Sequence, residues 1–178
     1  GAAGGVGTSA IEIGKQMGAK VIAAASSDEK LELCKQLGAD EVINYSTDSL
    51  KDKIKELTGG KGVDVVYDPV GGDLSEPALR GMAWNGRFLV IGFAAGPIPS
   101  VPLNLALLKG CSIVGVFWGR FSGEEPEENM NNIDELWELF NSGKLAPTVT
   151  ETYPIEEYEA AFNCMMQRRA RGKVILTF

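Results

Sequence analysis

Apolar and polar positions follow two periods along this chain. Short runs rich in β-branched residues are separated by longer amphipathic runs, which predicts strands that alternate with helices. The predicted strands are Lys20–Ala25, Glu41–Tyr45, Val63–Tyr67, Arg87–Gly92, Ser112–Phe117 and Lys173–Phe178. The predicted helices are Gly7–Met17, Asp28–Leu37, Ser49–Leu57, Leu74–Trp84, Asn131–Asn141 and Ile155–Arg168. This order predicts an α/β fold whose strands are mostly parallel, since the strands are apolar on both faces.

The second predicted helix carries signals at both ends. Ser26 and Glu29, three positions apart, have the form of a capping box. Gly38 is a typical residue at a helix C-terminus. These signals predict a well-defined helix between the strands Lys20–Ala25 and Glu41–Tyr45.

Composition limits the classes of protein to consider. The chain has 178 residues, 44% of them hydrophobic, which suits one domain with a substantial core. Its net charge of −7 argues against nucleic-acid binding, which usually needs a basic surface. No apolar stretch reaches about 18 residues, so no membrane span is predicted.

Three cysteines and the absence of histidine limit the chemistry. Cys34, Cys111 and Cys164 lie far apart and are predicted to be free thiols in a reducing compartment. The cytoplasm is the predicted compartment, with the mitochondrial matrix as the alternative. Without histidine, a histidine-containing zinc site and a Ser-His-Asp triad are both impossible within this chain.

The first residues, Gly1 to Gly7 (GAAGGVG), have the spacing of a dinucleotide-binding turn. Ala2, Gly4 and Gly7 occupy the G-x-G-x-x-G positions, with alanine as a departure at the first. The following helix would offer free N–H groups and its positive dipole end to a diphosphate. Such a turn follows a strand, so we expect the first strand of the fold to lie outside the given sequence. The alternative is a flexible glycine-rich loop.

The end of the second strand of such a fold selects the cofactor. An acid at this position would bind the 2′-hydroxyl of NAD, but this chain has Ala25, Ser26 and Ser27 there. Lys30 follows closely and could neutralise a 2′-phosphate. The sequence therefore favours NADP over NAD; the alternative is that Lys30 is only a solvated helix residue.

Six runs in order, GAAGGVG, VIAAASSDEK, LGADEVINY, GGKGVDVVYDPVGG, GRFLVIGFAAG and GKVIL, resemble the zeta-crystallin-like quinone oxidoreductases. These belong to the medium-chain dehydrogenase/reductase superfamily. The resemblance implies a Rossmann-type, doubly wound, six-stranded sheet and an N-terminal catalytic domain that the sequence lacks. It implies a dinucleotide-binding domain over residues 1–145 and a segment, 146–178, that returns to the catalytic domain.

The resemblance also implies which residues contact NADP(H). In the family, the glycine turn binds the diphosphate. The 2′-phosphate is bound at the positions of Ser26, Lys30, Tyr45 and Arg168, and residues after the later strands bind the nicotinamide ribose and ring. These positions are Ala2, Gly4, Gly5, Val6, Gly7, Ser26, Lys30, Tyr45, Val70, Gly71, Gly92, Phe93, Phe117, Trp118 and Arg168. As alternatives, Val70, Phe93 and Phe117 could be core residues, and Arg168, Arg169, Arg171 and Lys173 a cationic helix end.

The activity implied by the resemblance is zinc-independent hydride transfer from NADPH to a quinone or an activated alkene. An enoyl-thioester reductase and a non-catalytic, crystallin-like NADP-binding protein are the alternatives. No catalytic residue is assigned, and the chain alone is expected to be inactive. The long apolar edge strand Ser112–Trp118 predicts a homodimer, because such an edge tends to be paired or covered.

Overall fold

The structure, a computed structural model, describes residues 1–167 and 169–178 and divides into two units. The first unit comprises residues 1–44 and 137–178, and the second comprises residues 45–136. The division falls within one long helix, α7. Each unit contains parallel strands flanked by helices, which confirms the predicted α/β class.

In the first unit, two pairs of parallel strands are formed. The helices and strands of this unit are α1 (Gly5–Gln16), β1 (Ile22–Ala25), α2 (Asp28–Gln36), β2 (Glu41–Asn44), β6 (Val149–Pro154), α8 (Tyr158–Met166) and β7 (Lys173–Thr177). β1 pairs with β2 from Ile22 beside Glu41 to Ala25 beside Asn44, and β6 pairs with β7. Ala3, Ile11, Ala23 and Cys34 form the buried core against these strands.

In the second unit, three parallel strands lie in the order β3-β4-β5. Its helices and strands are α3 (Leu50–Leu57), β3 (Val63–Asp68), α4 (Ser75–Arg80), β4 (Met82–Val90), α5 (Asn104–Lys109), β5 (Ser112–Gly115) and α6 (Trp118–Glu124), and α7 (Pro126–Asn141) crosses into the first unit. The core of this unit consists of Ala78, Leu79, Met82, Phe88 and Leu105.

Two predicted boundaries in the second unit are wrong. The helix predicted to reach Trp84 ends at Arg80, and β4 begins at Met82 rather than Arg87. Asn85, which has a positive φ of 61°, interrupts the early part of β4. The register against β3 shifts there, so β4 is an irregular strand before Arg87 and a regular one after it.

The predicted edge strand Ser112–Trp118 is shorter than expected. β5 ends at Gly115, and α6 begins at Trp118. The amide of Val116 still donates to the carbonyl of Val90 at 3.0 Å, so the sheet pairing continues one residue beyond the strand. The sequence analysis did not predict α5, α6 or β6. β6 was missed because its threonines and glutamate interrupt any apolar run.

The predicted capping box is also wrong. The cap of α2 is Ser27, whose hydroxyl accepts a hydrogen bond from the Lys30 amide at 3.4 Å. Glu29 instead forms an ion pair with Arg171. Among the described residues, every helix falls short of the length or the hydrophobicity that a membrane span requires.

Candidate functional site

The glycine turn begins the first unit. Gly4 is the N-cap of α1, and the first amide to bond within the helix is that of Thr8, to the Gly4 carbonyl at 2.9 Å. The amides of Gly5, Val6 and Gly7 precede it, so they are the donors that a helix N-terminus leaves without intrahelical partners. Together with the helix dipole, these amides can bind a phosphate group.

Gly7 occupies a position that only glycine fits. A Cβ at residue 7 would lie 2.5 Å from the Ala2 carbonyl oxygen and closer still to the Gly1 carbonyl. Ala2 in turn donates its amide to Ala24 of β1 at 3.1 Å, so the turn is attached to the strand beside it. The structure therefore brings Ala2, Gly4 and Gly7 together as the motif spacing predicts.

The C-terminal segment of the chain closes on this turn. Gly172 pairs with Gly4 in a parallel bridge, and the Gly172 amide donates to the Ala3 carbonyl at 2.8 Å. The ammonium group of Lys173 donates to the Gly5 carbonyl at 3.2 Å. A positive charge thus lies at the first turn of α1. From the sequence, Lys173 was expected only in the last strand or as part of a cationic helix end, and no contact with the glycine turn was predicted.

The residues predicted to select the cofactor lie where β1 ends. Ser26 directly follows β1, and Lys30 is in the first turn of α2. The side-chain amide of Asn44, at the end of β2, donates to the Asp28 carboxylate at 2.8 Å, which joins this strand to the start of α2. Tyr45 is the next residue after Asn44 and belongs to the second unit.

Two basic residues of the C-terminal segment do not form the helix end that was considered as an alternative. The Arg171 guanidinium contacts the Glu29 carboxylate at 2.5 Å, and Lys173 is the first residue of β7. Arg168, predicted as a phosphate contact, lies outside the described residues. Its role stays a prediction.

In the second unit, one carboxylate shapes the turn after β3. One Asp68 oxygen accepts hydrogen bonds from the amides of Val70 and Gly71, both at 2.9 Å. Its other oxygen accepts from the buried Ser75 hydroxyl at 2.8 Å. Asp68 was seen in the sequence only as part of the motif DPVGG, although an acid at a strand end followed by a turn is a recognisable Asx pattern.

The turn after β3 and the turn after β4 are in contact. The Ala94 amide donates to the Pro69 carbonyl, and the Ala95 amide donates to the Val70 carbonyl. Gly71 has a φ of 68°, and a Cβ there would lie 2.9 Å from the Phe93 ring. The structure thus brings Val70, Gly71, Gly92 and Phe93 together at the carboxyl end of the sheet, where ligands of open α/β sheets bind.

Phe117 and Trp118 lie beyond the carboxyl end of β5 and are strongly exposed, at 75% and 68%. The Trp118 indole N–H donates to the Asn129 side chain at 3.2 Å, so the ring is held by α7. Because β4 and β5 are parallel, both residues are at the same edge of the sheet as Gly92 and Phe93. This exposure contradicts the alternative that Phe117 is a core residue.

Two side chains, the Tyr67 phenol and the Cys34 thiol, have raised pKa values. Burial raises the pKa of the Tyr67 phenol within β3, which keeps it protonated. In the first unit, burial likewise raises the pKa of the Cys34 thiol, so this cysteine is a poor nucleophile.

The described residues do not fit a metal site. Cys34, Cys111 and Cys164 are free thiols, and the chain has no histidine. Among residues 1–167 and 169–178, no group of three potential ligands is close enough to hold a metal ion.

Comparison with known proteins agrees with this architecture. The profile described as "Zinc-binding dehydrogenase" matches residues 5–137. The chain belongs to this family, and so to the medium-chain dehydrogenase/reductase superfamily. Within the superfamily it is a cofactor domain of the zeta-crystallin-like quinone oxidoreductase type, which confirms the predicted family and the Rossmann-type fold.

Three relatives define this similarity. Quinone oxidoreductase-like protein 2 of Bos taurus is 42% identical over 99% of this chain and 51% of its own length. 2-Haloacrylate reductase of Burkholderia sp is 33% identical over 98% of this chain and 53% of its own length. The crystal structure of Escherichia coli quinone oxidoreductase complexed with NADPH superposes with a TM-score of 0.88, at 32% identity, over 99% of this chain and 55% of that one. The chain spans about half the length of the curated relatives it matches.

Proposed function

We propose that this chain binds NADP(H) and is the cofactor-binding part of an oxidoreductase that reduces a quinone or an activated alkene without zinc. The observation that carries the proposal is the glycine turn at α1. Gly7 has no space for a side chain there, and the amides of Gly5 to Gly7 come before the first intrahelical hydrogen bond, so they can bind a phosphate. The E. coli relative of the same fold was crystallised with NADPH, which supports this cofactor.

Taken separately, each unit has residues that suit a part of NADP(H). In the first unit, the amides of Gly5 to Gly7 and the Lys173 ammonium suit a diphosphate, and the region of Ser26 and Lys30 suits the adenosine end. In the second unit, the turns that contain Gly71 and Phe93 suit a nicotinamide ribose. The bound nicotinamide supplies the hydride, and these residues supply its position and surroundings.

The preference for NADP(H) rests on charge at the end of β1. The segment Ala25 to Ser27 has no carboxylate that would repel a 2′-phosphate or bind a 2′-hydroxyl. Lys30 and Arg171 lie in this region beside Asp28 and Glu29, whose carboxylates are bound by Asn44 and Arg171. Tyr45 and Arg168 remain proposed contacts. The chain's own side chains thus favour a doubly charged phosphate over a hydroxyl.

The acceptor is the second part of the proposal. The similarity to a 2-haloacrylate reductase supports an alkene activated by an electron-withdrawing group, and the similarity to quinone oxidoreductases supports a quinone. Both acceptors take a hydride at an electron-poor carbon or oxygen. The exposed Phe117 and Trp118 offer an apolar surface beside the nicotinamide end for such a molecule.

Calorimetric titration with NADPH and NADH tests the cofactor. We expect NADPH to bind at least about tenfold more tightly, roughly 1.4 kcal/mol. Equal affinities, or no binding, would contradict the proposal. Loss of NADPH absorbance with a quinone and with an activated alkene, in the protein at its natural length, then tests the acceptor. Binding without turnover of either would favour a non-catalytic role, and faster turnover of an enoyl thioester would favour an enoyl-thioester reductase.

We also propose that two copies of the chain pair through β5. This strand is at one end of the order β3-β4-β5, and all four of its residues are exposed. Ile113 and Val114 present apolar side chains there, with no charge in the strand to prevent pairing. A second copy of the same strand would satisfy the open backbone groups of this edge.

A further inference from the structure

An ion pair joins the C-terminal segment to the start of α2. The Arg171 guanidinium lies 2.5 Å from the Glu29 carboxylate, although 142 residues separate the two in sequence. Glu29 is the second residue of α2, directly after β1 and its Ser27 cap. The Arg171 side chain is 37% exposed and the Glu29 side chain 73%, so the pair is open to a ligand.

The place of this pair in the fold gives it a consequence for binding. In dinucleotide folds, the junction after the second strand recognises the ribose 2′ position: an acid binds a 2′-hydroxyl, and a nearby arginine binds a 2′-phosphate. At that junction Glu29 is paired with Arg171. The neighbouring Asp28 accepts a hydrogen bond from the side-chain amide of Asn44. An unpaired Glu29 would repel a phosphate, whereas the paired one contributes no net charge.

We propose that the Arg171–Glu29 pair sets the cofactor selectivity of this chain. Arg171 exchanges Glu29 for the 2′-phosphate of NADP(H), since a guanidinium binds phosphate through two parallel N–H groups. Glu29 holds Arg171 at the junction before binding and opposes the 2′-phosphate by its own charge. The inference rests on the proposed NADP(H) binding and assigns roles to Glu29 and Arg171, neither of which the sequence motifs place in contact with the cofactor.

Three variants of the pair and one control test the contribution of each charge to cofactor selectivity. Glu29→Gln removes only the opposing charge, and Arg171→Met removes the cation and leaves Glu29 unpaired. The double variant Glu29→Gln with Arg171→Met removes both charges. The matched control is Lys20→Met, because Lys20 forms an exposed ion pair with Glu41 at 3.4 Å at the amino ends of β1 and β2.

The experiment measures dissociation constants of NADPH and NADH for each variant by calorimetry. We expect Arg171→Met to lower the NADPH preference by about tenfold or more, because the charge-assisted contact with the 2′-phosphate is lost. Glu29→Gln raises the preference by about two- to fivefold, and the double variant lies between Arg171→Met and the parent chain. Lys20→Met leaves the ratio unchanged.

A second pair of ligands isolates the adenosine end. The same variants are titrated with 2′,5′-ADP and with 5′-AMP, which differ by the 2′-phosphate alone. The preference for 2′,5′-ADP should follow the preference for NADPH across the series.

The outcomes distinguish this inference from the function on which it rests. If the parent chain binds neither NADPH nor 2′,5′-ADP, the proposed function is wrong and the inference falls with it. If the parent chain prefers NADPH but Arg171→Met keeps that preference, only the inference is overturned. Should circular dichroism show that Arg171→Met does not fold, Glu29→Gln decides, since an unchanged ratio there also overturns the proposal.

Discussion

The hydroxyl of Ser75 donates a 2.8 Å hydrogen bond to the carboxylate of Asp68, so the end of β3 is joined to the start of α4. The same carboxylate accepts the amides of Val70 and Gly71. A single side chain therefore fixes both sides of the turn that carries two proposed nicotinamide contacts. The turn owes its shape to this acceptor as much as to its glycines.

We expect Asp68→Asn to destabilise the chain by about 1–2 kcal/mol and to weaken NADPH binding. Asparagine has one acceptor oxygen and one N–H2 group, so either the turn amides or Ser75 would face a donor instead of an acceptor. Urea denaturation and calorimetric titration measure the two effects. Asp73→Asn is the control, because Asp73 is exposed and close by; equal results for the two variants would contradict this role of Asp68.

Gly7→Ala should abolish or strongly weaken NADPH binding. The added Cβ would collide with the carbonyl groups of Gly1 and Ala2, so the turn must move away from the helix N-terminus. The expected loss of stability is about 1–3 kcal/mol. Gly123→Ala is a matched helical control, since a Cβ there meets nothing within 4 Å. Binding by Gly7→Ala that equals binding by the control would show that the turn does not hold the cofactor.

Lys173→Met should weaken NADPH binding by about three- to tenfold, or roughly 0.7–1.4 kcal/mol. The reason is the loss of a positive charge that is held at the Gly5 carbonyl, beside the proposed diphosphate. Titrations at low and high salt check the electrostatic origin, because the variant should show the smaller salt dependence. Lys51→Met, on the exposed surface of α3, should behave as the parent chain does; a loss of similar size there would indicate a general effect of net charge.

Asp40 gives the first unit an acid-sensitive contact. Its carboxylate accepts hydrogen bonds from the Lys15 ammonium at 2.8 Å and from the Val21 amide at 2.7 Å. These bonds, that of Lys15 above all, lower the pKa of Asp40. Because the pKa of Asp40 is lower in the folded state, its ionised carboxylate stabilises the fold at pH values above the unfolded pKa of about 3.9. That stabilisation is lost as the pH falls through the lower folded value.

Asp40→Asn should therefore be less stable than the parent chain at neutral pH, with the difference disappearing as the pH falls below about 4. Urea unfolding midpoints at pH 7, 5, 4 and 3 measure this convergence. Asp134→Asn, on the exposed surface of α7, should show no such pH-dependent difference. A constant gap between Asp40→Asn and the parent chain at all four pH values would refute the electrostatic explanation.

Val114→Lys tests the proposed pairing of two chains through β5. The substitution places a charge in the middle of an exposed apolar strand, where it would be buried against a second copy. We expect dimers of the parent chain and monomers of the variant by light scattering. If the variant remains dimeric, the interface lies elsewhere on the chain.

The strands and helices with a clear period were predictable from the sequence. Ile22–Ala25 and Glu41–Asn44 lie inside the predicted runs, and the glycine turn begins α1 as the motif spacing requires. β6 was missed because its threonines and glutamate alternate with few apolar residues, and it is stabilised by pairing with β7. The cap of α2 was misassigned by one residue, since Ser26 and Ser27 are equally good caps by type.

The part of the site that the sequence could not predict consists of contacts between distant residues. Nothing local connects Arg171 with Glu29, or Lys173 with Gly5, because folding alone brings these residues together. Asp68 was visible within its motif, but its bond to Ser75 depends on where α4 begins. Motif spacing therefore predicts which backbone segments meet a cofactor, and the structure is needed to identify the charged side chains beside them.

The bridge between Gly4 and Gly172 also determines when the cofactor turn can form during folding. Gly4 and Gly172 are far apart in sequence, so closing the loop between them has a large entropic cost. We therefore expect this contact to form late in folding, after the intervening strands have paired. A chain emerging from the ribosome would complete α1 early but would lack its partner at the glycine turn until β7 had been synthesised. NADPH would then stabilise only molecules in which Gly172 already pairs with Gly4, so occupancy of the turn would report that this contact has formed.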